Sequence, residues 1–195
     1  MEFKKLTDNI TIPVIGLGTW TIGGGDEADT TYDDEDISAI RTAIKLGITH
    51  IDTAEAYAHG HTEELIGKAI GDFDRKSLFI TSKVSPEHLS YDDLLASAKG
   101  SLQRLDTEYI DLYLIHAPNP DIPIQETMKA MDSLAEHKLI RCMGVSNFSV
   151  EQIKEAQKYT KNKIVANQIE YNLLVRDKGR VTENMESKII PYCQE

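Results

Sequence analysis

The chain has 195 residues, 41% apolar and 27% charged, which is enough to bury a core and fits one domain over residues 1–195. Its 21 Lys and Arg stand against 32 Asp and Glu, a formal charge of −11; nucleic-acid and anionic-membrane binders both need a basic footprint, so neither partner is expected. No window approaches the roughly 18 consecutive apolar residues that span a bilayer. Cys142 and Cys193 stand at no zinc-ligand spacing, so a soluble protein of a reducing, cytoplasmic compartment is expected.

The N-terminal MEFKKLTDN has two lysines but no apolar stretch behind them and does not read as a secretory signal. FKKLTDNITIPV reads as a hairpin with Asp8 and Asn9 at its turn. Six short Ile/Val/Leu-rich runs follow: VIGLG (14–18), THIDT (49–53), LFITSK (78–83), IDLYLIH (110–116), IRCMGVS (140–146) and IVANQIE (164–170). Between them lie segments with helical spacing. Residues 33–47 open on four acidic residues, where the helix dipole favours them, and Gly47 reads as the stop. Residues 62–71 form a second helix, and Ser90…Asp93 and Ser149…Gln152 read as capping boxes opening two more. Residues 123–136 and 181–194 complete the set. Strand and helix alternating at this spacing imply βαβ units and a parallel sheet. The count of six suits either a doubly wound sheet or a (β/α)8 barrel without its last two units.

Buried parallel strands are nearly all apolar, so polar residues at their C-terminal ends need a reason. Asp52 ends the second run, Lys83 the third and His116 the fourth; the fifth runs into Ser146 and Asn147, and the sixth carries Gln168. Each has an ordinary structural reading by itself, as a cap, a turn residue or a satisfied buried group. Five successive strands delivering such groups to one rim point instead to a site, because that rim is where barrel enzymes build theirs. The rival nucleotide folds lack their motifs: Gly16-Leu-Gly18 is followed by Thr21 where G-x-G-x-x-G needs glycine, and no P-loop, H-E-x-x-H or G-x-S-x-G occurs. His59-Gly-His61 could suggest a metal, but neither a carboxylate nor a third His is placed with it, so a flexible loop is expected there and no metal.

Together these residues resemble the aldo-keto reductases. Gly16-Leu-Gly18-Thr19-Trp20 is similar to that family's first-strand segment. Gly47-Ile-Thr-His-Ile-Asp52-Thr-Ala-Glu-Ala-Tyr57, continuing to Glu63-Glu64-Leu-Ile-Gly67, resembles its best-known signature. Tyr109 to His116 with Ala117-Pro118, Ile140 to Phe148 and Asn167 to Asn172 resemble the fourth, fifth and sixth strands. The resemblance implies an α/β fold, a (β/α)8 TIM barrel closed below by the hairpin. It also implies hydride transfer from nicotinamide C4 of NADPH, with NADH as the alternative, to a small aldehyde or ketone. The four catalytic residues fall on Asp52, Tyr57, Lys83 and His116. Tyr57 would be the proton donor; a phenol ordinarily ionises near pH ~10, so Lys83, held by Asp52, is given the part of stabilising the phenolate. His116 would orient the carbonyl. Ser146, Asn147 and Gln168 would hold the carboxamide, with Gly18, Thr19 and Asp52 also bordering the cofactor. Trp20, Tyr57 and His116 would face the substrate, although a rim-packing aromatic remains an equal reading for Trp20.

The pattern departs from the family in three places. His116-Ala117-Pro118 replaces the common His-Trp-Pro and opens that side of the pocket, and Ala58-His-Gly-His61 resembles bacterial or archaeal members. The last two βα units, with the residue that stacks on the nicotinamide, are missing; Tyr171 follows the sixth strand and is not that residue. Six strands do not close an eight-stranded barrel, so this length is expected to be inactive alone and to self-associate through its open edges, whereas a full-length form would be a monomer. Two other classes stay open: a non-catalytic cofactor-binding subunit on the same fold, and a barrel isomerase or lyase forming a Schiff base on Lys83.

Overall fold

The computed structural model describes residues 1–194. Strands β1 (Phe3–Thr7) and β2 (Ile10–Pro13) pair antiparallel, Phe3 opposite Pro13, around the Asp8-Asn9 turn. Six strands then form one parallel sheet: β3 (Gly16–Gly18), β4 (His50–Asp52), β5 (Phe79–Val84), β6 (Ile110–Ile115), β7 (Ile140–Ser146) and β8 (Ile164–Gln168). Their spatial order is β3-β4-β5-β6-β7-β8. A doubly wound sheet reverses direction at an interior switch point and places its first strand inside. Strictly sequential order is instead that of a (β/α) barrel, and the sheet is a curled half of one, with helices on its outer face.

The helices are α1 (Asp33–Lys45), α2 (His61–Ile70), α3 (Tyr91–Arg104), α4 (Ile124–Glu136), α5 (Val150–Gln157) and α6 (Ile190–Gln194). The expected end of α1 is present: Gly47 N–H donates to the Ile44 carbonyl and Ile48 N–H to that of Ala43, the paired bonds of a helix stop. Ser149 and Gln152 form the full reciprocal capping box of α5. At α3 only half of that device forms. Asp93 N–H donates to Ser90 Oγ, but the Asp93 carboxylate accepts from the Ser90 hydroxyl at 2.6 Å and does not turn back to the backbone. Aspartate is one methylene too short to reach where Gln152 reaches. The last expected helix is also corrected. Residues 181–184 are not helical; Asn184 is left-handed (φ 59°), one wide turn spans Met185–Ile189, and only Ile190–Gln194 is α-helix. The chain before it is pinned in a hairpin turn by Gly179 N–H to Thr182 O (2.8 Å), which leaves no room for a helical start at 181.

Strands β5 and β6 are buried along their whole length, as strands covered on both faces must be. Phe79, Leu112, Leu114 and Cys142 face inward, and Leu6, Ile10 and Ile12 of the hairpin pack against them, closing the bottom of the half-barrel. The larger core lies between sheet and helices, from Ile40, Ile66 and Ile80 to Met131, Val145 and Ile153. One charge is buried at the lower end of β6. Asp111 has no exposed surface, yet it accepts from Arg75 (2.7 Å), Arg141 (2.6 Å) and Ile80 N–H (3.0 Å), so it is fully compensated. With the bottom sealed, the groups at the opposite ends of the strands are left to form the open rim.

Candidate active site

Parallel register sets the rim. Gly18 lies opposite Asp52, Asp52 opposite Thr81, Lys83 opposite Leu114, and Ser146 opposite Gln168, so the strand ends rise to one level. Lys83 is fully buried and its ammonium donates to Asp52 Oδ1 (2.7 Å), to the Thr53 carbonyl (2.9 Å) and to Tyr57 Oη (3.2 Å). A buried ammonium is tolerated only with this kind of satisfaction, and here three oxygens provide it. The second Asp52 oxygen, Oδ2, accepts from Gln168 Nε2 at 2.7 Å, a bond that reaches from β8 across the mouth to β4. The Tyr57 and His116 rings meet edge to face at 5.8 Å. Asn147, left-handed at φ 62°, donates from its amide to the His116 carbonyl (3.1 Å) and to Ser146 Oγ (3.0 Å).

Tyr57 is held by an unusual turn. Ala58 (φ 46°), His59 (φ 51°) and Gly60 (φ 91°) are left-handed in succession before α2 begins. For a residue with a Cβ that region costs on the order of 1–2 kcal/mol, so Ala58 and His59 store strain that surrounding contacts must hold. Among these contacts, Ala58 N–H donates to the Gly25 carbonyl (3.3 Å). Glycine suits position 60, where φ is 91° and a Cβ would lie 2.7 Å from Arg104 Nε and push that side chain aside.

Seven of the sequence-predicted residues line one cleft of about 730 Å³: Trp20, Asp52, Tyr57, His116, Ser146, Asn147 and Gln168; Lys83 is buried against Asp52 and Tyr57. Trp20 stands on its wall with 63% of its surface exposed, so it is not packed into the rim. Thr19 is buried behind Asp52, its hydroxyl donating to the Asp52 carbonyl at 2.9 Å, and Gly18 is exposed with open space beside it. Sequence reasoning missed the rest of the lining: Gly25 and Asp26 from the loop after β3, Ala56 beside Tyr57, and Ile169, Glu170, Arg180 and Val181 from the strap between β8 and α6. Neither segment has periodicity. The strap is docked on the site by Thr182 Oγ1 donating to Asn147 Oδ1 (3.3 Å).

Burial, and then the positive charge of Lys83, push the His116 imidazole below its ordinary value, so it is neutral near neutrality, with one ring N–H and one ring acceptor. Hydrophobic surfaces of Trp20, Ile169 and Val181 beside the amides of Asn147 and Gln168 and the Ser146 hydroxyl fit a flat heteroaromatic ring that carries a carboxamide. His61, outside the cleft, is set between two carboxylates: Nε2 to Asp33 Oδ1 at 2.8 Å and Nδ1 to Glu64 Oε2 at 3.1 Å.

Comparison with known proteins agrees with this geometry. The aldo/keto reductase family pattern matches residues 14–195, and the chain belongs to that family. It is 33% identical to "Methylglyoxal reductase YeaE" of Escherichia coli (strain K12) over 98% of this chain and 63% of that protein. The thermostable aldo-keto reductase Tm1743, solved in complex with the inhibitor epalrestat, superposes with a TM-score of 0.92 at 49% identity, covering all of this chain and 69% of that one. The aldo/keto reductase of Klebsiella pneumoniae in complex with NADP and acetate gives a TM-score of 0.83 at 37% identity, covering 94% and 61%. The chain thus spans less than two thirds of the curated relative's length. No helix among the described residues is long and apolar enough to cross a membrane.

Proposed function

We propose that residues 1–195 belong to one aldo-keto reductase domain and carry its catalytic groups for reducing small aldehydes and ketones of the methylglyoxal type with NADPH. The observation that carries this reading is the contact of Lys83 Nζ with both Asp52 and Tyr57 Oη at the floor of the cleft. Bound NADPH would supply a hydride to the carbonyl carbon; Ser146, Asn147 and Gln168 are the residues we assign to its carboxamide, with Gly18, Thr19 and Asp52 beside it. The name of the Escherichia coli relative favours methylglyoxal, and the ligand of the Klebsiella structure favours NADP over NAD.

The chain's own groups then have these parts. Negative charge develops on the carbonyl oxygen as the carbon is attacked, and an acid is needed there. Tyr57 Oη gives that oxygen its proton. The phenolate left behind is stabilised by the Lys83 ammonium, which Asp52 and the Thr53 carbonyl keep in place. His116, neutral, donates a hydrogen bond that orients the carbonyl. Trp20 walls the substrate side. We infer further that the six-stranded sheet leaves turnover by these 195 residues alone far below that of a closed barrel.

The test is a hybrid in which the remaining strands of Tm1743 close the sheet, assayed with NADPH and methylglyoxal. Replacing Tyr57 by Phe is expected to lower turnover by at least about 100-fold while NADPH affinity stays nearly unchanged. Equal loss of affinity and turnover would overturn the proton-donor assignment. Robust reduction by the mass-verified 195-residue chain itself would overturn the dependence on closure.

A further inference from the structure

Behind the sheet, one ion pair lies outside the cleft and yet touches the chain on both sides of it. Glu63, in the first turn of α2, has no exposed surface. Its Oε1 accepts from Ser82 Oγ at 2.5 Å, and its Oε2 accepts from Arg104 Nε at 2.8 Å, with Nη2 of the same guanidinium also 2.8 Å from that oxygen as an ion pair. Ser82 is the residue before Lys83 on β5, with its side chain on the opposite face of the strand. Arg104, the last residue of α3, lays its guanidinium and Cδ against Gly60, where a Cβ would lie 2.7 and 2.8 Å away. Gly60 ends the left-handed turn that begins at Tyr57. The two segments fixed by this pair are therefore those that carry Tyr57 and Lys83, whose polar atoms meet at 3.2 Å.

We propose that Arg104, anchored by Glu63, is a positioning residue: its planar guanidinium braces the Ala58-His59-Gly60 turn and so sets Tyr57 over Lys83. A guanidinium suits the task because two of its nitrogens can engage one carboxylate oxygen while its flat edge packs on Gly60. Glu63 stays fixed because Ser82 and Arg104 fill both of its oxygens. The assignment rests on the proposed function only in naming Tyr57 and Lys83 as the reacting groups.

The experiment is nuclear magnetic resonance on the 195-residue chain, wild type, Arg104→Met and Arg104→Lys. Two signatures are read: the backbone couplings and carbon shifts that mark left-handed φ at Ala58 and His59, and the ring-current shift that Tyr57 and His116 impose on each other. Both are expected in the wild type. Arg104→Met is expected to lose both while the signals of β6 and α4 keep their positions. Arg104→Lys is expected to lose them too, since one ammonium cannot hold Glu63 and cover Gly60 together. Either folded variant retaining both signatures overturns the proposal. The readout needs no turnover, so a chain that reduces nothing but shows the expected losses counts against the function and not against the brace.

Discussion

Lys83 carries its charge in a place with no exposed surface, and Asp52 is the partner that makes this tolerable. Removing one partner of a buried pair costs about 3–5 kcal/mol when the remaining charge is left uncompensated; without Lys83 the remaining charge is that of Asp52, which is partly exposed and keeps its bond from Gln168. Asp52→Ala is therefore expected to lose about 3–5 kcal/mol in urea unfolding, and Lys83→Met distinctly less; the reverse order would contradict this account of the pair. His61 gives a second prediction at this scale. Burial pulls its imidazole down, but the hydrogen bonds and charges of Asp33 and Glu64 outweigh it, and the net shift is upward. Its folded value lies above the unfolded one, so the proton stabilises the fold below about pH 6.5 and that benefit fades as the pH rises through the raised value. Thermal midpoints of wild type and His61→Gln should thus differ most in mild acid and converge at higher pH. The rim residues themselves were legible, because each is a polar side chain at the end of an apolar run. The expectation that no carboxylate accompanies His61 is corrected by two: Glu64 stands one turn on in the same helix, whereas Asp33, from another helix 28 positions away, was not legible.

Among the elements, β7 has a position with no room for a side chain. Gly144 faces inward, and a Cβ there would lie 2.7 Å from Leu114 Cδ2 and 2.8 Å from the Ala166 carbonyl. Gly144→Ala is expected to destabilise by about 1–3 kcal/mol, read as a lower denaturation midpoint with an unchanged slope. The helix caps give a finer test. Ser149 serves a complete capping box and Ser90 half of one, so Ser149→Ala should cost about 1 kcal/mol and Ser90→Ala less. Strands and helices from β3 to β8 were legible because the period changes cleanly between runs such as IDLYLI and segments such as the one after Ser149. The strap over 170–184 was not. Its shape comes from contacts between Lys178 and Glu183 and between Thr182 and Asn147, which leave no periodic trace.

At the level of the whole molecule, composition and strand count left two architectures open, and spatial order decided between them. A sequence names its strands but not their neighbours; the sequential parallel order, and the Gln168–Asp52 bond across the mouth, appear only in three dimensions. That bond also explains how six strands present a single rim: β8 curls back far enough for its last side chain to meet β4. The claim with most resting on it is that this rim transfers hydride to a carbonyl carbon. The direct measurement uses NADPH deuterated at the transferring position of C4, methylglyoxal, and the hybrid closed by the Tm1743 strands, with mass spectrometry of the product. The account predicts one deuterium on the newly formed carbinol carbon, with product formation falling by at least about 100-fold in Tyr57→Phe. A folded, NADPH-binding hybrid that yields no reduced product, or yields one whose carbinol hydrogen comes from solvent, would contradict it.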